Sequence, residues 1–194
     1  MSRPEMFQLT ESDQQLLLQI ARNSVRACLS GEIFTPPEIS SATLSESCGI
    51  FVSIHKHGEL RGCIGNVHAV GPLYRSAAEC AISAAVGDPR FTPLTGDELS
   101  VVDFEISVLS PMRRIENVTE IEVGKHGLLI SKRGHRGLLL PQVATAYAWD
   151  RDTFLQETCR KAGLRPDDWK DGATIHCFSA FVFGEKHSHL IAAS

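Results

Sequence analysis

The sequence predicts an α+β fold made of two related halves, each with the order strand, strand, helix, strand. Two hairpin-like stretches both begin with glycine, three apolar residues and serine, and both continue through a polar turn into Arg-Gly and a second apolar run. Each is followed by a helical pattern that ends at a glycine, and then by a Pro- and Asp-rich loop and a further strand. This internal duplication predicts two subdomains of antiparallel sheet covered by helices, with a cleft between the halves, which is a usual place for a ligand.

One helix is predicted ahead of the two halves, over residues 10–30. Thr10 and Asp13 have the spacing of a weak capping box, apolar residues recur on one stripe, and Gly31 gives the C-terminal stop. Pro36 and Pro37 exclude a helix from the segment that follows, so we expect an extended linker there.

The halves are expected over about residues 49–109 and 127–181, within a single domain of 1–194. Their hairpins align Arg61-Gly62 with Arg136-Gly137 once the second turn is shortened. Because a hairpin followed by a helix and a strand is a common order, chance similarity is the alternative to duplication. The shared order of the landmarks favours duplication. The helices of the halves are GPLYRSAAECAISAAVG and WDRDTFLQETCRKAG, and the last strands are VVDFEISVL and ATIHCFSAF.

Composition and charge narrow the class of protein. With 194 residues, of which 43% are hydrophobic and 22% charged, the chain has the composition of a globular protein. A net charge of -4, a pI of about 6.1 and scattered basic residues disfavour nucleic acid as a partner. The densest basic cluster is expected at a hairpin tip and consists of Lys132, Arg133, His135 and Arg136.

Hydropathy and cysteine usage predict the compartment. No apolar run has membrane-spanning length, and the first residues lack the apolar stretch of a signal peptide. The six cysteines form no CxxC pair, and Cys28, Cys80 and Cys159 lie in helical patterns, which is typical of reduced thiols. We therefore expect a cytoplasmic protein with no membrane partner. No group of Cys and His residues has the spacing of a zinc site, and we expect no metal and no cofactor.

The stretch LRGCIGN, which begins at Leu60, is the first candidate site. Strand alternation turns Leu60 towards the helix-covered core and places Arg61 and Cys63 on the other face, about 7 Å apart at their Cα atoms. A guanidinium at that distance favours the thiolate, which makes Cys63 a candidate nucleophile. Gly62 and Gly65 leave room for a ligand or another backbone to approach closely. A structural thiol in a tightly packed strand is the alternative.

The stretches GDPRFTPL and DFEIS add the charged candidates Asp88, Arg90 and Glu105. Asp88 can close a turn, and Arg90 presents a planar fork for a carboxylate or phosphate, unless it is held by Asp88 or Glu105 in a structural ion pair. Glu105 interrupts an apolar strand, where a carboxylate is either solvated or paired with a cation. Because Arg61, Arg90 and Glu105 lie in or beside segments that resemble core, we expect them to be partly buried and linked to one another.

Two further candidates lie in the second half. GKHG predicts a tight turn that presents His126, a candidate proton carrier, although a histidine at a turn is usually only solvated. Gln142 follows a proline at a strand end and is a candidate for ligand binding.

Seven motifs occur in a fixed order along the chain: LRGCIGN, DPRF after an Ala-rich helix, FEISVLS, GKHGLLI, GLLLPQVA, a Trp-Asp helix start and CRKAGL. Together, over about residues 9–183, they resemble the AMMECR-type family, known in prokaryotes as AmmeMemoRadiSam system protein A. The resemblance implies an α+β protein of two subdomains with a cleft and no established activity. It also implies that the gene lies near the genes of two other proteins. One is a Memo-like protein, similar to metal-dependent extradiol dioxygenases, and the other is a radical-SAM protein.

The resemblance also marks individual residues. Asn66 departs from the family, in which Thr or Ser often follows the second glycine of the motif. The chain has no CxxxCxxC motif, so radical-SAM chemistry would belong to a partner. The most characteristic residues of the family fall on Arg61, Gly62, Cys63, Gly65, Asp88, Arg90, Phe91, Glu105 and Gln142.

Two functions are compatible with these residues. The first is a module that binds a small ligand or a partner protein and supports Memo-like and radical-SAM proteins. It is slightly favoured, because the signal lies in glycines and ion-pair residues and no base is assured beside the thiol. Its ligand-binding candidates are Arg61, Gly62, Cys63, Gly65, Asp88, Arg90 and Gln142. The second is a thiol-dependent enzyme, with Cys63 as nucleophile, Arg61 as activator or anion clamp, and Glu105 or His126 as proton carrier.

Overall fold

The computed structural model describes residues 9–37 and 39–185, which form two compact units. Unit 1 runs to Leu109 and includes the chain again from Phe181, and unit 2 is Ser110–Ala180. Both units combine antiparallel strands with helices, so the predicted α+β class is confirmed. Of the N-terminal stretch that lacks the features of a signal peptide, residues 1–8 lie outside the described residues. In the described part of the chain, no helix combines the length and the apolar character needed to cross a membrane.

Unit 1 packs two long helices against an antiparallel sheet. Its elements are α1 (Glu11–Ser30), α2 (Ala42–Ser45), β1 (Gly49–Lys56), β2 (Glu59–Asn66), α3 (Leu73–Val86), a 3-10 helix at Asp97–Ser100, and β3 (Val102–Leu109). In the sheet, β1 is central: its hairpin partner β2 lies on one side and β3 lies on the other. The apolar side chains of β1 and β3 join those of α1 and α3 in one buried core.

Helix α1 begins after Thr10 and ends before Gly31, the two residues that the sequence marks as its caps. The Asp13 N–H donates to the Thr10 hydroxyl at 3.1 Å, and the Thr10 N–H donates to the Asp13 carboxylate at 3.2 Å, which completes the capping box. Gly31 has a left-handed φ of 72°, which favours glycine. The buried stripe of α1 packs on α3, where the Ser24 hydroxyl donates to the Ala78 carbonyl oxygen at 3.2 Å.

Unit 2 repeats the order of unit 1 with its own strands and helix. Its elements are β4 (Arg113–Ile115), a 3-10 helix at Val118–Glu120, β5 (His126–Lys132), β6 (His135–Leu139), α4 (Pro141–Ala146), α5 (Arg151–Lys161), a 3-10 helix at Asp168–Lys170, and β7 (Thr174–Gly184), whose last residues belong to unit 1 and run beside β3. The first hairpin strand is again central, so the order β6-β5-β7 corresponds to β2-β1-β3. The predicted strand-strand-helix-strand order is therefore present in both units.

The Arg-Gly pair of each hairpin marks the point where a helix end touches the second strand. A Cβ atom on Gly62 of β2 would lie 2.1 Å from the Ala84 carbonyl oxygen of α3. A Cβ atom on Gly137 of β6 would lie 2.3 Å from the amide nitrogen of Ala162, just after α5. Because both distances are far inside van der Waals contact, a residue with a side chain would push the helix away from the strand.

A lysine–carboxylate pair occupies the same place in both units. The last residue of the first hairpin strand is Lys56 in unit 1 and Lys132 in unit 2, and each meets the 3-10 helix that precedes the last strand. Lys56 Nζ lies 2.9 Å from Glu98 Oε1, and Lys132 Nζ lies 2.8 Å from Asp168 Oδ1. Each carboxylate also accepts the backbone N–H of the residue three positions earlier. This shared contact supports duplication independently of the sequence landmarks.

The serine landmarks of the two hairpins do not correspond in the structure. The isoleucine that pairs with Gly62 follows Ser53 in β1, whereas the isoleucine that pairs with Gly137 precedes Ser131 in β5. Matching the two glycines, which have the same helix contact, therefore leaves the serines two residues out of step. The sequence alignment of the serines is wrong, and that of the Arg-Gly pairs agrees with the contacts.

Gly62→Ala is expected to lower the free energy of unfolding by about 2–3 kcal/mol, because the added methyl group overlaps the Ala84 carbonyl oxygen and forces α3 away from β2. Gly137→Ala should have the same effect in unit 2. Gly96→Ala is the control, since nothing lies within 4 Å of its Cβ position and its φ of -57° suits alanine. Urea denaturation measures all three variants. A Gly62→Ala variant as stable as the parent would contradict the close contact.

Candidate functional site

The candidate site is built around a β-bulge in β2. Gly62 pairs with Ile54 of β1, but the next residue of β1, His55, pairs with Leu60. Arg61 is therefore an extra residue without a partner in β1. The bulge interrupts the alternation on which the sequence prediction relied, and Leu60, expected to face the core, is 41% exposed. The prediction for Leu60 is wrong, and the bulge rather than the pleat sets the direction of the Arg61 side chain.

Arg61 is bound to the connection between α3 and β3. Its Nε and Nη2 atoms donate to the two carboxylate oxygens of Glu98 at 3.1 and 3.0 Å. Nη1 donates to the Thr92 carbonyl oxygen at 2.8 Å, and Nη2 also donates to that of Pro93 at 3.4 Å. Both side chains of the ion pair are largely buried. Bidentate pairs of this kind are among the strong ones, so Arg61 fixes this connection to β2.

Glu98 receives charge-assisted hydrogen bonds from two cations. Lys56 Nζ donates to Oε1 at 2.9 Å, beside the two bonds from Arg61. The guanidinium of Arg61 and then the ammonium of Lys56 lower the pKa of Glu98 from its usual 4.5 to about 2. Glu98 is therefore ionised at all physiological pH values, and its negative charge is matched within unit 1.

A second ion pair covers the edge of β2 at Cys63. Asp88 Oδ2 accepts the Cys63 N–H at 2.9 Å, and Arg90 Nη2 donates to the Cys63 carbonyl oxygen at 3.2 Å. Arg90 also donates to both oxygens of Asp88, at 3.0 and 2.7 Å. The Asp88 side chain is 2% exposed and that of Arg90 is 56% exposed. The Arg90 guanidinium holds the pKa of Asp88 well below its usual range. These side chains bond to an edge strand where a neighbouring strand would otherwise pair.

The predicted link among Arg61, Arg90 and Glu105 is wrong. The two arginines bind different carboxylates, Glu98 and Asp88. Glu105 is half-buried, and among the described residues it forms no ion pair. Of the two partners that the sequence left open for Arg90, Asp88 is the one found. The sequence predicted the carboxylate partner of the arginines inside a strand, at Glu105. The carboxylates that bind them lie instead in the loop after α3 and in the 3-10 helix before β3.

A row of polar side chains crosses the sheet beside these ion pairs. Cys63 of β2 pairs with Ser53 of β1, and Ser53 pairs with Glu105 of β3. The Ser53 hydroxyl donates to Cys63 Sγ at 3.3 Å, as expected for a cross-strand pair whose backbone groups point apart and whose side chains approach closely. All three residues are partly exposed. This Cys63–Ser53–Glu105 row places a thiol, a hydroxyl and a carboxylate side by side on the face of the sheet away from α3.

Ser53 is the member of the row that sequence reasoning missed. The two-residue turn His57-Gly58 pairs the ends of β1 and β2, and a regular hairpin continued from it would place Ser53 opposite Gly62. The bulge at Arg61 moves Ser53 opposite Cys63 instead. The only signal in the sequence was a polar residue at an alternating position of an apolar strand, which identifies a face but not a partner.

Gly62 and Gly65 make room for the protein's own atoms. Gly62 allows the contact with Ala84 described above, and a Cβ atom on Gly65 would lie 2.5 Å from the ring of Phe51, its cross-strand partner. These contacts account for both glycines through packing, which is one of the two roles that the sequence suggested. Their part in ligand binding stays a prediction.

His126 and Gln142 belong to unit 2. The Glu122 N–H donates to His126 Nδ1 at 3.1 Å, which leaves Nε2 as the proton-bearing nitrogen of the neutral ring. Burial lowers the pKa of His126, so the neutral ring is favoured. Gln142 is exposed in the first turn of α4. A role for either residue together with Cys63 stays a prediction.

Metal-ligating side chains are dispersed in the described part of the chain. No three His, Cys, Asp or Glu side chains come together there in a way that could hold a metal ion. Asp88 and Glu98, which carry the charge to attract a cation, are each bound by an arginine at 2.7 and 3.0 Å. The Cys63–Ser53–Glu105 row offers one thiol and one carboxylate, fewer than the three or four protein ligands of a zinc site.

Comparison with known proteins gives the family. A sequence model of the AMMECR1 family matches residues 18–183, most of the chain. The chain belongs to the AMMECR1 family. Protein PF1979 of Pyrococcus furiosus is 39% identical, over 94% of this chain and 92% of its own. A protein of Methanothermobacter thermautotrophicus is 41% identical, over 91% of this chain and 96% of its own.

The AMMECR1 fold is also found in a solved structure. The crystal structure of the uncharacterised protein PH0010 from Pyrococcus horikoshii matches with a TM-score of 0.82 and 38% identity, covering 87% of this chain and 89% of that one. The family resemblance that the seven motifs gave is therefore confirmed by sequence and by fold.

Glu98→Gln is expected to weaken the acid sensitivity of the fold. A carboxyl group whose pKa is lower in the folded state stabilises that state fully above the unfolded value of 4.5, and the contribution is lost as the pH falls towards 2. The free energy of unfolding should therefore fall more steeply in the parent than in Glu98→Gln. Glu105→Gln is the matched control, since its carboxylate forms no ion pair in the described residues, and it should follow the parent. Urea denaturation at about pH 3 and about pH 6 measures the free energy of unfolding of each protein. An equal loss between these pH values in Glu98→Gln and in the parent would contradict the lowered pKa of Glu98.

Cys63 is expected to be the most reactive of the six thiols. It is partly exposed, and the Ser53 hydroxyl at its sulfur can stabilise the negative charge of the attacking form. Burial raises the pKa of four other thiols, those of Cys48, Cys80, Cys159 and Cys177. The pKa of Cys80 is raised to about 11. Timed alkylation of the native protein with iodoacetamide, followed by peptide mapping, tests the order. Faster modification of Cys28, which is also partly exposed, or of any buried thiol would show that the site does not activate Cys63.

Proposed function

We propose that this AMMECR1-family protein is an accessory binding protein, which holds a small ligand or a partner protein at the Cys63–Ser53–Glu105 row and supports Memo-like and radical-SAM proteins. The proposal rests on the structural role of the charged residues around the thiol. Arg61 and Arg90 both hold the connection between α3 and β3 on β2. The motif residues therefore build a rigid surface beside the row rather than a pair of acid and base.

The surroundings of the thiol favour binding over nucleophilic catalysis. A catalytic thiol needs a proton acceptor within hydrogen-bond reach. Cys63 Sγ is bonded by the Ser53 hydroxyl, and the nearby Asp88 is bonded to the Cys63 backbone and to Arg90. Glu105 lies one strand further away. Within the described residues of unit 1, the thiol thus has no directly bonded base.

The row itself supports recognition of a positively charged group. Glu105 is half-buried and forms no ion pair among the described residues, and Ser53 beside it adds a hydroxyl. An amine of a small ligand, or a lysine or arginine of a partner protein, could pair with this carboxylate. A hydrogen bond to a charged group contributes about 1.5–3 kcal/mol, which is enough to orient a ligand. A cationic group is the chemistry that complements the row.

A thiol-dependent enzyme is the second candidate, and the contact between Ser53 and Cys63 Sγ is the observation that favours it. If the Cys63 thiol passed its proton to the Ser53 oxygen while the serine proton moved to Glu105, opposite it in β3, the re-formed hydroxyl would donate to the resulting thiolate. The two candidates differ in the residue on which they depend. Nucleophilic catalysis requires Cys63, whereas recognition of a cationic group requires Glu105.

Binding to the Memo-like and radical-SAM proteins of the same genome tests the proposal. Isothermal titration calorimetry on the purified proteins should show binding that Glu105→Gln weakens about tenfold and Cys63→Ser leaves nearly unchanged. Glu79→Gln is the matched control, because Glu79 is exposed on α3, which covers the other face of the sheet. If neither protein binds, the accessory role fails. A thiol-dependent turnover that Cys63→Ser abolishes would favour the enzyme.

A further inference from the structure

The tip of the β5–β6 hairpin and the connection between α5 and β7 line an open cavity of about 320 Å³ in unit 2. We propose that this cavity binds a small phosphate monoester through Lys132, Arg133 and Arg165. The site is separate from the Cys63–Ser53–Glu105 row, which belongs to unit 1. Lys132, Arg133 and His135, three members of the basic cluster that the sequence places at a hairpin tip, all line it.

A buried ion pair lines the cavity. The side chains of Lys132 and Asp168 are each 9% exposed, and their Nζ and Oδ1 atoms are 2.8 Å apart. The Asp171 carboxylate, which is 89% exposed, lies 3.6 Å from Lys132 Nζ, beyond hydrogen-bond distance. An ammonium has three N–H donors, and within the described residues only Asp168 accepts one from Lys132. Lys132 therefore keeps donors for a ligand.

Asp168 is fully engaged by the protein. Its Oδ1 atom accepts from Lys132 and, at 3.3 Å, from Arg165 Nη2, and its Oδ2 atom accepts the Arg165 N–H at 2.9 Å. The Lys132 ammonium, followed by the Arg165 backbone N–H, holds the pKa of Asp168 well below its usual range. Asp168 thus stays ionised and positions Lys132, and its charge is shared between two cations.

The charged residues that line the cavity have a net positive charge. Lys132, Arg133 and Arg165 provide three cations against the carboxylates of Asp168 and Asp171. Arg133 lies in the hairpin turn with a φ of 50°, is exposed, and among the described residues makes no hydrogen bond or ion pair. Arg165 is 84% exposed, and its only side-chain bond within the described chain is the one at 3.3 Å. Two guanidinium groups are consequently available at the same cavity as the buried ammonium.

A phosphate monoester matches this arrangement better than other anions do. Its three terminal oxygens can accept from three separate cations at once, whereas a carboxylate lies in one plane and suits a single guanidinium. The volume of about 320 Å³ is at the small end of ligand pockets, which span about 300–1,000 Å³. Leu164 provides an apolar contact for a short organic group. The ligand is therefore a small phosphorylated molecule rather than a dinucleotide or a nucleic acid.

Titration with glycerol 2-phosphate tests the site on the full chain, by isothermal calorimetry and by amide chemical shifts. Saturable binding is expected, with shifts at Gly134 and Leu164, and Arg133→Gln and Arg165→Gln should each weaken it about tenfold. Arg114→Gln is the matched control, because Arg114 is an exposed arginine of unit 2 outside the cavity, and it should bind as the parent does. These exposed positions can be changed without breaking the buried ion pair.

Three results would overturn the proposal. One is the absence of saturation. Another is equal weakening by Arg114→Gln, which would mean that only general charge attraction is measured. The third is binding of succinate as tightly as glycerol 2-phosphate, which would exclude recognition of a phosphate.

Discussion

The bulge at Arg61 adds one residue to β2 opposite the step from Ile54 to His55 in β1, and the arrangement around the thiol depends on the register that results. Beyond the bulge, Gly62 lies beneath the end of α3 and Cys63 lies opposite Ser53. In a regular hairpin Ser53 would face a glycine, and the row of three polar side chains would not exist. The bulge also frees Arg61 from the pleat, so that its guanidinium reaches the 3-10 helix before β3. One inserted residue thus sets the packing of a helix, the partner of a thiol and the attachment of a loop.

The two units share a framework and differ in what is added to it. In both, a helix end sits on a glycine of the second strand, and a lysine at the end of the first strand meets a carboxylate before the last one. Charges of low exposure are tolerated only when paired, so this contact fixes the hairpin relative to the loop that returns the chain to the sheet. In unit 1 the second cation on the carboxylate is Arg61, from the bulge. In unit 2 it is Arg165, from the loop itself, and a cavity remains beside it.

The sequence was sufficient for the elements and insufficient for their partners. Thr10 and Gly31 mark the ends of α1 because capping depends on residues within one turn of the helix. The Arg-Gly pairs correspond because each glycine has the same steric task. The partner of Arg61 could not be found in this way, since Glu98 is 37 residues away in a 3-10 helix, and Glu105, the carboxylate that interrupts an apolar strand, lies opposite Ser53. The pairing of Ser53 with Cys63 could not be predicted, because it depends on the bulge at Arg61. Nothing in the sequence distinguishes a bulged arginine from any other strand residue.

The ion pair of Asp88 and Arg90 has a consequence for how the protein behaves at high concentration. At Cys63 it occupies both the N–H and the carbonyl oxygen that an edge strand presents to solvent. An extended segment of another molecule that approached β2 would find these groups already bonded, so growth of the sheet from chain to chain is blocked at this point. The pair thus acts as a gatekeeper of solubility. Loss of this ion pair is expected to cause precipitation at high protein concentration before it lowers the fraction of folded protein.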